Sequence, residues 1–298
     1  MTADGALGAG SAGFDRSLVA VVTVSYGSED VLPAFLGGLA DEIAAGMDVV
    51  VADNAPSTGS PVPGIVERAG ARYLALDANH GYGGAVNRAA ATLPASVEWV
   101  LVSNPDVVLD PGVIAALVAT GSQAPAIGSV GPAVLTPEGE VYPSAREVPS
   151  IRSGVGHALF ANLWPVNPWT TRYHRSNDTG SQRDAGWLSG SCVLVRRSAF
   201  EAVGGFDEEF FMYFEDVDLG YRLGLAGFRN VYQPAVSVVH TGAHSTRSHR
   251  AAMVAAHHHS ARRFLQKKYR GWRLAPVRWT LGVGLAIRSR IAERRARD

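Results

Sequence analysis

A chain of 298 residues with 47% hydrophobic composition carries enough apolar side chain for a substantial core, in one large or two small domains. Cys192 is its single cysteine, so it forms no internal disulfide and suits a reducing compartment. No uncharged apolar run approaches the ~20 residues of a membrane-spanning helix. The net charge of zero conceals a split: residues 1–244 hold 13 Lys and Arg against 25 Asp and Glu, whereas residues 245–298 hold 14 against 2.

Residues 1–17 are rich in Gly, Ala and Ser and lack the basic and apolar segments of a signal peptide, which predicts a disordered leader. Leu18–Tyr26, LVAVVTVSY, is the β-rich run of a buried parallel strand. A helix is predicted over Val31–Ala45, then a short strand over Asp48–Ala52 that ends in Asp53-Asn54 and a Pro/Ser/Gly loop. A helix around Ile65–Ala69 and a strand over Ala71–Leu76 follow, and Asn79–Leu93 begins with glycines before turning helical. Trp99–Ser103 is another buried strand, broken by Asn104-Pro105-Asp106. Strand and helix alternate, which predicts an α/β protein whose ligands sit at the C-terminal ends of its strands. Residues 136–183, rich in Pro, Ser, Arg and Trp, read as an irregular insertion that orders on substrate binding. Regularity returns with Trp187–Val195, a helix near Ser198–Val203, a helix over Phe214–Ala226 capped by Gly227, and a closing strand over Asn230–His240. The remainder is predicted to be mostly helical.

Several polar groups fall where such a fold would use them. Asp53 and Asn54 end a strand, where a carboxylate accepts from a base N–H or a ribose hydroxyl; the same pair also favours an Asx-turn. Asn79 to Asn87, NHGYGGAVN, is a Gly-rich turn opening a helix. Glycines there admit a ligand close to the backbone and a helix N-terminus favours phosphate, yet the spacing matches neither the dinucleotide nor the P-loop pattern. Asp106, at a strand tip, is a candidate ligand for Mg2+ or Mn2+, which take oxygen ligands and bind diphosphates; a simple turn is the alternative. His240 would be a second ligand if the fold brings the two together. Glu215, Asp216 and Asp218 are three acids among four residues, preceded by Phe210, Phe211, Tyr213 and Phe214. An apolar wall raises a carboxylate toward the working range of a general base. An acidic first turn facing the helix dipole is the structural alternative, and Asp218 stands i,i+4 to Arg222 as an ion pair.

The C-terminal region has a different character. His257, His258 and His259 are consecutive and splay around a helix, which makes a poor metal site. Trp272, Trp279, Leu281 and Ile287 are interleaved with arginines. That mixture predicts an interfacial helix on an anionic membrane surface, with ~1 kcal/mol per basic residue, rather than a nucleic-acid contact. A basic helix packed on the core is the alternative. The expected location is cytoplasmic, peripheral to the inner face of the plasma membrane, and the sequence leaves open whether copies associate as a homo-oligomer.

Taken in order, TVSY, VVVADN, NHGYGGAVNRA, SNPD, WLSGSCVLVRRSAF, GGFDEEFFMYFEDVDLGYRLGLAGF and VVHTGAHS resemble the family-2 glycosyltransferases of GT-A fold, from about Leu18 to Ser245. The resemblance implies a Rossmann-like mixed central sheet flanked by helices over 18–245. Its nucleotide-sugar-binding half would be 18–135 and its acceptor and catalytic half 184–245, with 246–298 a basic helical extension. It also implies roles. Ser25, Tyr26, Asp53, Asn54, Gly81, Gly84, Asn87 and Asn104 would serve the donor, Trp187, Gly190 and Glu215 the acceptor. Asp216 would be the base and Asp106 with His240 the ligands of Mn2+ or Mg2+. The family's D-x-D-like motif reads Asn104-Pro105-Asp106 here, so one carboxylate is missing. The pattern is most similar to bacterial rhamnosyltransferases. That implies dTDP-rhamnose as the nucleotide-diphosphate sugar donor and a polyprenyl-diphosphate-linked N-acetylglucosamine as acceptor, as in actinobacterial cell-wall linker synthesis. Another nucleotide sugar, such as a galactofuranosyl donor, is the alternative.

The family's processive members carry Q-x-x-R-W, which this chain lacks, so one transfer per encounter is expected. A sugar-1-phosphate nucleotidyltransferase would carry a Gly-rich, Arg/Lys-containing loop after the first strand, where this chain has Gly27-Ser28-Glu29-Asp30. A catalytically inactive nucleotide-sugar-binding module would have no use for Asp106, Asp216 and His240 together.

Overall fold

The computed structural model describes residues 15–150, 180–242, 250–276 and 279. The predicted leader as far as residue 14, the core of the insertion (151–179), and Leu281 and Ile287 lie outside the described residues.

The first half is a parallel sheet built from the apolar runs: β1 (Val19–Ser25), β2 (Asp48–Asp53), β3 (Arg72–Ala75) and β4 (Trp99–Ser103). Every residue of β1 and β4 is buried. Alternate side chains of each strand feed two separate apolar layers, Val19 and Val21 into one, Ala20 and Val22 into the other. Helices α1 (Leu32–Gly38), α2 (Ala40–Ala44), α3 (Val62–Arg68) and α4 (Gly81–Ala91) link these strands. The single helix expected over Val31–Ala45 is divided. Leu39, next to Gly37-Gly38, leaves helical geometry at φ −104° and ψ 5°, and the chain restarts as α2.

The second half converts the sheet from parallel to mixed. After β5 (Val107–Val108) come α5 (Val113–Gly121) and β6 (Ile127–Leu135), then the short β7 (Val141–Tyr142), β8 (Ala145–Arg146), β9 (Arg183–Ala185) and β10 (Trp187–Leu188). Four of these short strands lie within or beside the segment expected to be irregular. β11 (Cys192–Arg196), α6 (Arg197–Ala202), α7 (Glu215–Leu225), β12 (Arg229–His240) and α8 (Arg250–Lys268) complete the order. The sheet runs β3-β2-β1-β4-β11-β6-β12-β5, and β8 and β10 form a separate pair. β11 is antiparallel to both β4 and β6, whereas β12 is parallel to β6.

This arrangement delivers polar residues to one edge. The parallel strands β1, β2 and β4 end at Ser25, Asp53 and Ser103, and the N-terminal end of antiparallel β11 meets them there, with Cys192 opposite Ser103. β12 brings His240 to the same region by pairing with Val107 of β5.

For part of the basic tail, α8 takes the alternative of a basic helix packed on the core. It packs on the core: Phe264 is fully buried, Lys267 lies 2.6 Å from Asp207 and 2.7 Å from Asp218, and Arg263 pairs with Glu209. These cations neutralise acids of the 207–218 segment and are not held for a separate anionic partner. Past the helix, Trp272 and Trp279 are 81% and 72% exposed.

Candidate active site

The donor-side residues divide into those facing the edge and those that build it. Asp53 ends β2, buried, and accepts a hydrogen bond from the Tyr73 hydroxyl at 2.9 Å. Burial raises its carboxyl, the Tyr73 bond lowers it and the Glu29 charge raises it, with a net upward shift; Tyr73 in turn is pushed up to about 12 by burial and by Asp53. Ser25 is fully buried, its hydroxyl without a hydrogen-bond partner among the described residues, and Tyr26 beyond it is 56% exposed.

Asn54 serves a different purpose. Its amide donates to Asn79 Oδ1 at 2.9 Å and to the Gly81 carbonyl at 3.1 Å, and its oxygen accepts from the His80 N–H at 2.9 Å. The amide is thus committed to holding the Gly-rich turn. Asn87 is similar, closing a two-way bond with the backbone of Phe206 at 2.9 Å each way. Gly84 faces His80, Arg88 and Glu208. Asn54, Gly84 and Asn87 thus pack and orient the turn that is expected to form the wall beside the donor. Gly81 has a strict backbone reason: its φ is +71°, and a Cβ there would lie 2.2 Å from the Phe211 carbonyl oxygen.

Asp106 and His240 meet. The β5–β12 pairing sets His240 Nε2 3.0 Å from Asp106 Oδ1, and Thr241 fixes the Asp106 carbonyl through its N–H (2.9 Å) and hydroxyl (3.0 Å). A separation of about 3 Å also joins neighbouring corners of an octahedron with ~2.1 Å bonds, so an oxygen and a nitrogen so placed fit one small divalent ion. Asn104 stands beside them, its Nδ2 3.4 Å from His240 Nε2. Among the described residues no three or more His, Cys, Asp or Glu are grouped so as to hold a metal ion by themselves. An ion here would draw its other oxygens from a ligand.

The acids of α7 follow an unusual entry. Tyr213 and Phe214 both adopt left-handed backbone, φ 65° and 66°. For aromatic residues this costs roughly 1–3 kcal/mol each and persists only where surrounding structure enforces it. The turn aims Glu215 and Asp216 at the sheet edge. Asp216 Oδ2 accepts from the Gly190 N–H at 3.0 Å and Oδ1 from the Val217 N–H at 2.8 Å. Burial raises the Asp216 carboxyl, and those backbone donors counter it. Glu215 is buried, its Oε2 has no hydrogen-bond partner among the described residues, and burial with the Asp216 charge pushes it up to about 8. Burial thus raises both adjacent carboxyls, and the N–H groups of Gly190 and Val217 favour the charged form of Asp216.

Asp218, fully buried, pairs with Arg222 at 2.6 Å as the i,i+4 spacing predicted. Trp187 lies against α7, where Gly220 allows close approach, and its buried Nε1 has no hydrogen-bond partner among the described residues. Tyr82 was not singled out by its sequence position. Its hydroxyl donates to the Gly190 carbonyl at 2.7 Å, and its ionisation is pushed well up by burial and then by the charges of Glu215, Asp216, Cys192 and Asp106. Backbone bonds link the two groups of acids: the Gly190 N–H reaches Asp216, and the next residue, Ser191, accepts at its carbonyl from the N–H of Asn104 at 2.9 Å, beside the Asp106–His240 pair.

One edge of the sheet thus presents the Asp53 carboxylate, the Asp106–His240 pair and the Glu215-Asp216 pair. The model of the "Glycosyltransferase like family 2" matches residues 11–262, and the chain belongs to that family: it is a glycosyltransferase. It is 47% identical over 283 residues, 92% of each chain, to N-acetylglucosaminyl-diphospho-decaprenol L-rhamnosyltransferase of Mycobacterium tuberculosis. It is 45% identical over 82 residues to rhamnosyltransferase WbbL of Escherichia coli, covering 28% of this chain and 31% of that one. Mannosyltransferase PcManGT from Pyrobaculum calidifontis, solved with GDP-Man and Mn2+, aligns with 93% of this chain and 72% of its own, at TM-score 0.56 and 16% identity. GalNAc-T7, solved with UDP, GalNAc and Mn2+, aligns with 75% of this chain and 44% of its own, at TM-score 0.54 and 15% identity. These two likenesses are of fold, which is the GT-A fold expected from the sequence.

Proposed function

We propose that the protein is an inverting L-rhamnosyltransferase that moves rhamnose from dTDP-rhamnose to a polyprenyl-diphosphate-linked N-acetylglucosamine. The choice of sugar and acceptor is supported by the mycobacterial relative, similar over nearly the whole of both chains. The chemistry rests on one observation: Asp216, the half-buried partner of a neutral Glu215, is held by two backbone N–H groups at the edge where Asp106 and His240 also meet.

In this mechanism Asp216 takes the proton of the acceptor hydroxyl as its oxygen bonds to the anomeric carbon. The bond from that carbon to the diphosphate oxygen breaks on the opposite face, inverting the centre and releasing the nucleoside diphosphate. Neutral Glu215 has an O–H to donate to an acceptor oxygen, and its neutrality leaves Asp216 as the sole anion of the pair. Asp53 accepts from the base or ribose, and Tyr73 holds its other valence. Asp106 and His240 would hold a divalent cation, Mn2+ or Mg2+, which neutralises charge on the departing diphosphate. Both structural neighbours named above were solved with Mn2+.

The acceptor's lipid tail places the reaction at a membrane. Among the described residues no helix is long and apolar enough to cross one. The exposed Trp272 and Trp279, with the arginines of 270–298, supply aromatic anchors and positive charge for seating on an anionic inner leaflet. The test is a panel of nucleotide sugars offered with and without a short-chain polyprenyl-diphosphate N-acetylglucosamine. Consumption of dTDP-rhamnose only when acceptor is present is the expected result. Preference for another donor, or equal consumption without acceptor, overturns the assignment.

A further inference from the structure

We infer that α8 is a positioning element for catalysis, clamping the left-handed turn that launches α7, with Ser260, Phe264 and Lys267 as its positioning residues. The inference rests on the proposal that Asp216 is the base.

A turn with two consecutive aromatic residues at positive φ does not hold itself. Several of the contacts on this one come from α8. The Ser260 hydroxyl donates to the Met212 carbonyl at 2.8 Å, immediately before Tyr213 and Phe214. The His257 ring meets the rings of both Tyr213 and Phe214, with centroids 5.5 Å and 5.3 Å away. Phe264, with no exposed surface, lies against Phe214 and Tyr221. The same helix therefore grips the turn ahead of the acids and the body of α7 behind them.

Lys267 adds the electrostatic half. Asp218 follows the acid pair in the same helical turn and is wholly buried, so its charge requires compensation within the protein. Arg222 engages Oδ2 at 2.6 Å and Lys267 approaches Oδ1 at 2.7 Å, while Lys267 also binds Asp207 at 2.6 Å. One ammonium thus ties α8 to the loop before the turn and to the helix after it. Arg263, on the same side, pairs with Glu209. The stretch from Asp207 to Asp218 is held at both ends by Lys267 and at Glu209 by Arg263, one helical turn earlier on α8, and Glu215-Asp216 lies within it. Side chains that touch neither donor nor acceptor would in this way fix where the reacting carboxylate points.

The experiment uses the full chain and three measurements: kcat, donor affinity and the thermal midpoint. Ser260→Ala and Lys267→Met are expected to lower kcat about ten- to a hundredfold, the scale of a misplaced reacting group, with dTDP binding unchanged. Lys267→Arg is expected to restore most of the kcat. The clamp is overturned if both variants fold and keep wild-type kcat, or if kcat falls only as the unfolded fraction rises and Lys267→Arg restores nothing beyond the midpoint. Asp216→Asn separates this inference from the one beneath it. Normal turnover in Asp216→Asn removes the base assignment and the inference with it. An inactive Asp216→Asn beside a fully active Lys267→Met removes the clamp alone.

Discussion

The Gly190 N–H reaches Asp216 Oδ2 at 3.0 Å, joining the head of β11 to the first turn of α7. Gly190 is gripped on its other side by Tyr82, whose hydroxyl donates to its carbonyl at 2.7 Å. Tyr82→Phe removes that second bond and keeps the ring. With Gly190 less firmly held, Asp216 loses part of the donation that counters its burial, and its carboxyl rises further. We expect kcat to fall several-fold, the scale of about 1 kcal/mol for one hydrogen bond, and the acid limb of the pH–rate profile to move to higher pH. An unmoved limb would leave Tyr82 a packing residue only.

Glu215 gives a pH effect of definite sign on stability. Its carboxyl is pushed up to about 8 by burial and then by the Asp216 charge, from an ordinary 4.5. The folded chain binds this proton more tightly than the unfolded chain does. The contribution of Glu215 is therefore complete below pH 4.5 and is lost as pH rises toward and through 8. Glu215→Gln is neutral throughout, so urea midpoints should move in favour of the variant between about pH 5 and about pH 9. A difference that stays constant with pH refutes the assignment.

Metal removal probes the Asp106–His240 pair. Chelation should abolish transfer and Mn2+ or Mg2+ should restore it. His240→Ala should raise the Mn2+ concentration for half-maximal rate by at least the roughly 10–100-fold seen on losing even an outer-shell partner. Asp106→Ala should not recover at any Mn2+ concentration tried. Full activity after exhaustive chelation, or an unchanged Mn2+ requirement in His240→Ala, would count against the site.

Gly220 sets a helix-propensity gain against a steric clash. Alanine in mid-helix is ordinarily favoured over glycine by roughly 0.5–1 kcal/mol. At Gly220, however, a Cβ would lie 2.7 Å from Trp187 Cα and Cβ and 2.9 Å from the Gly186 carbonyl oxygen. Overpacking of that kind costs ~1–3 kcal/mol, so the clash wins and Gly220→Ala should lower the urea midpoint. A variant as stable as the parent would show that β10 yields.

The sheet and its polar edge were legible because buried parallel strands are continuous apolar runs, and each stops where a polar group is needed: Asp53, Asn104 to Asp106, His240. The pairing of Asp106 with His240 followed from the family pattern rather than from spacing, since 134 residues separate them. α5 and β6 escaped notice for local reasons. α5 is apolar nearly all round, so it shows no polar face, and β6 carries Gly131-Pro132 in its interior, which reads as a break. Tyr82 gave no signal because its partners lie 108 or more residues away. An amide's chemistry is visible in sequence, but the bonds of Asn54 to the Gly-rich turn and of Asn87 to the Phe206 backbone are not. The basic C-terminal region was read by composition, which counts charges but cannot see that Lys267 and Arg263 are matched to acids 49 to 60 positions earlier.

The order of synthesis gives these pairings a further meaning. Asp106 and Asp218 leave the ribosome before the groups from His240 onward that pair with them. Asp106 meets His240 only after β12 has emerged, and Asp218 meets Lys267 only after α8 has. A nascent chain can therefore assemble its parallel half early, from contacts close in sequence, while the reacting edge waits for long-range closure. The Asp106–His240 and Asp218–Lys267 pairings are in this sense the late contacts of the fold.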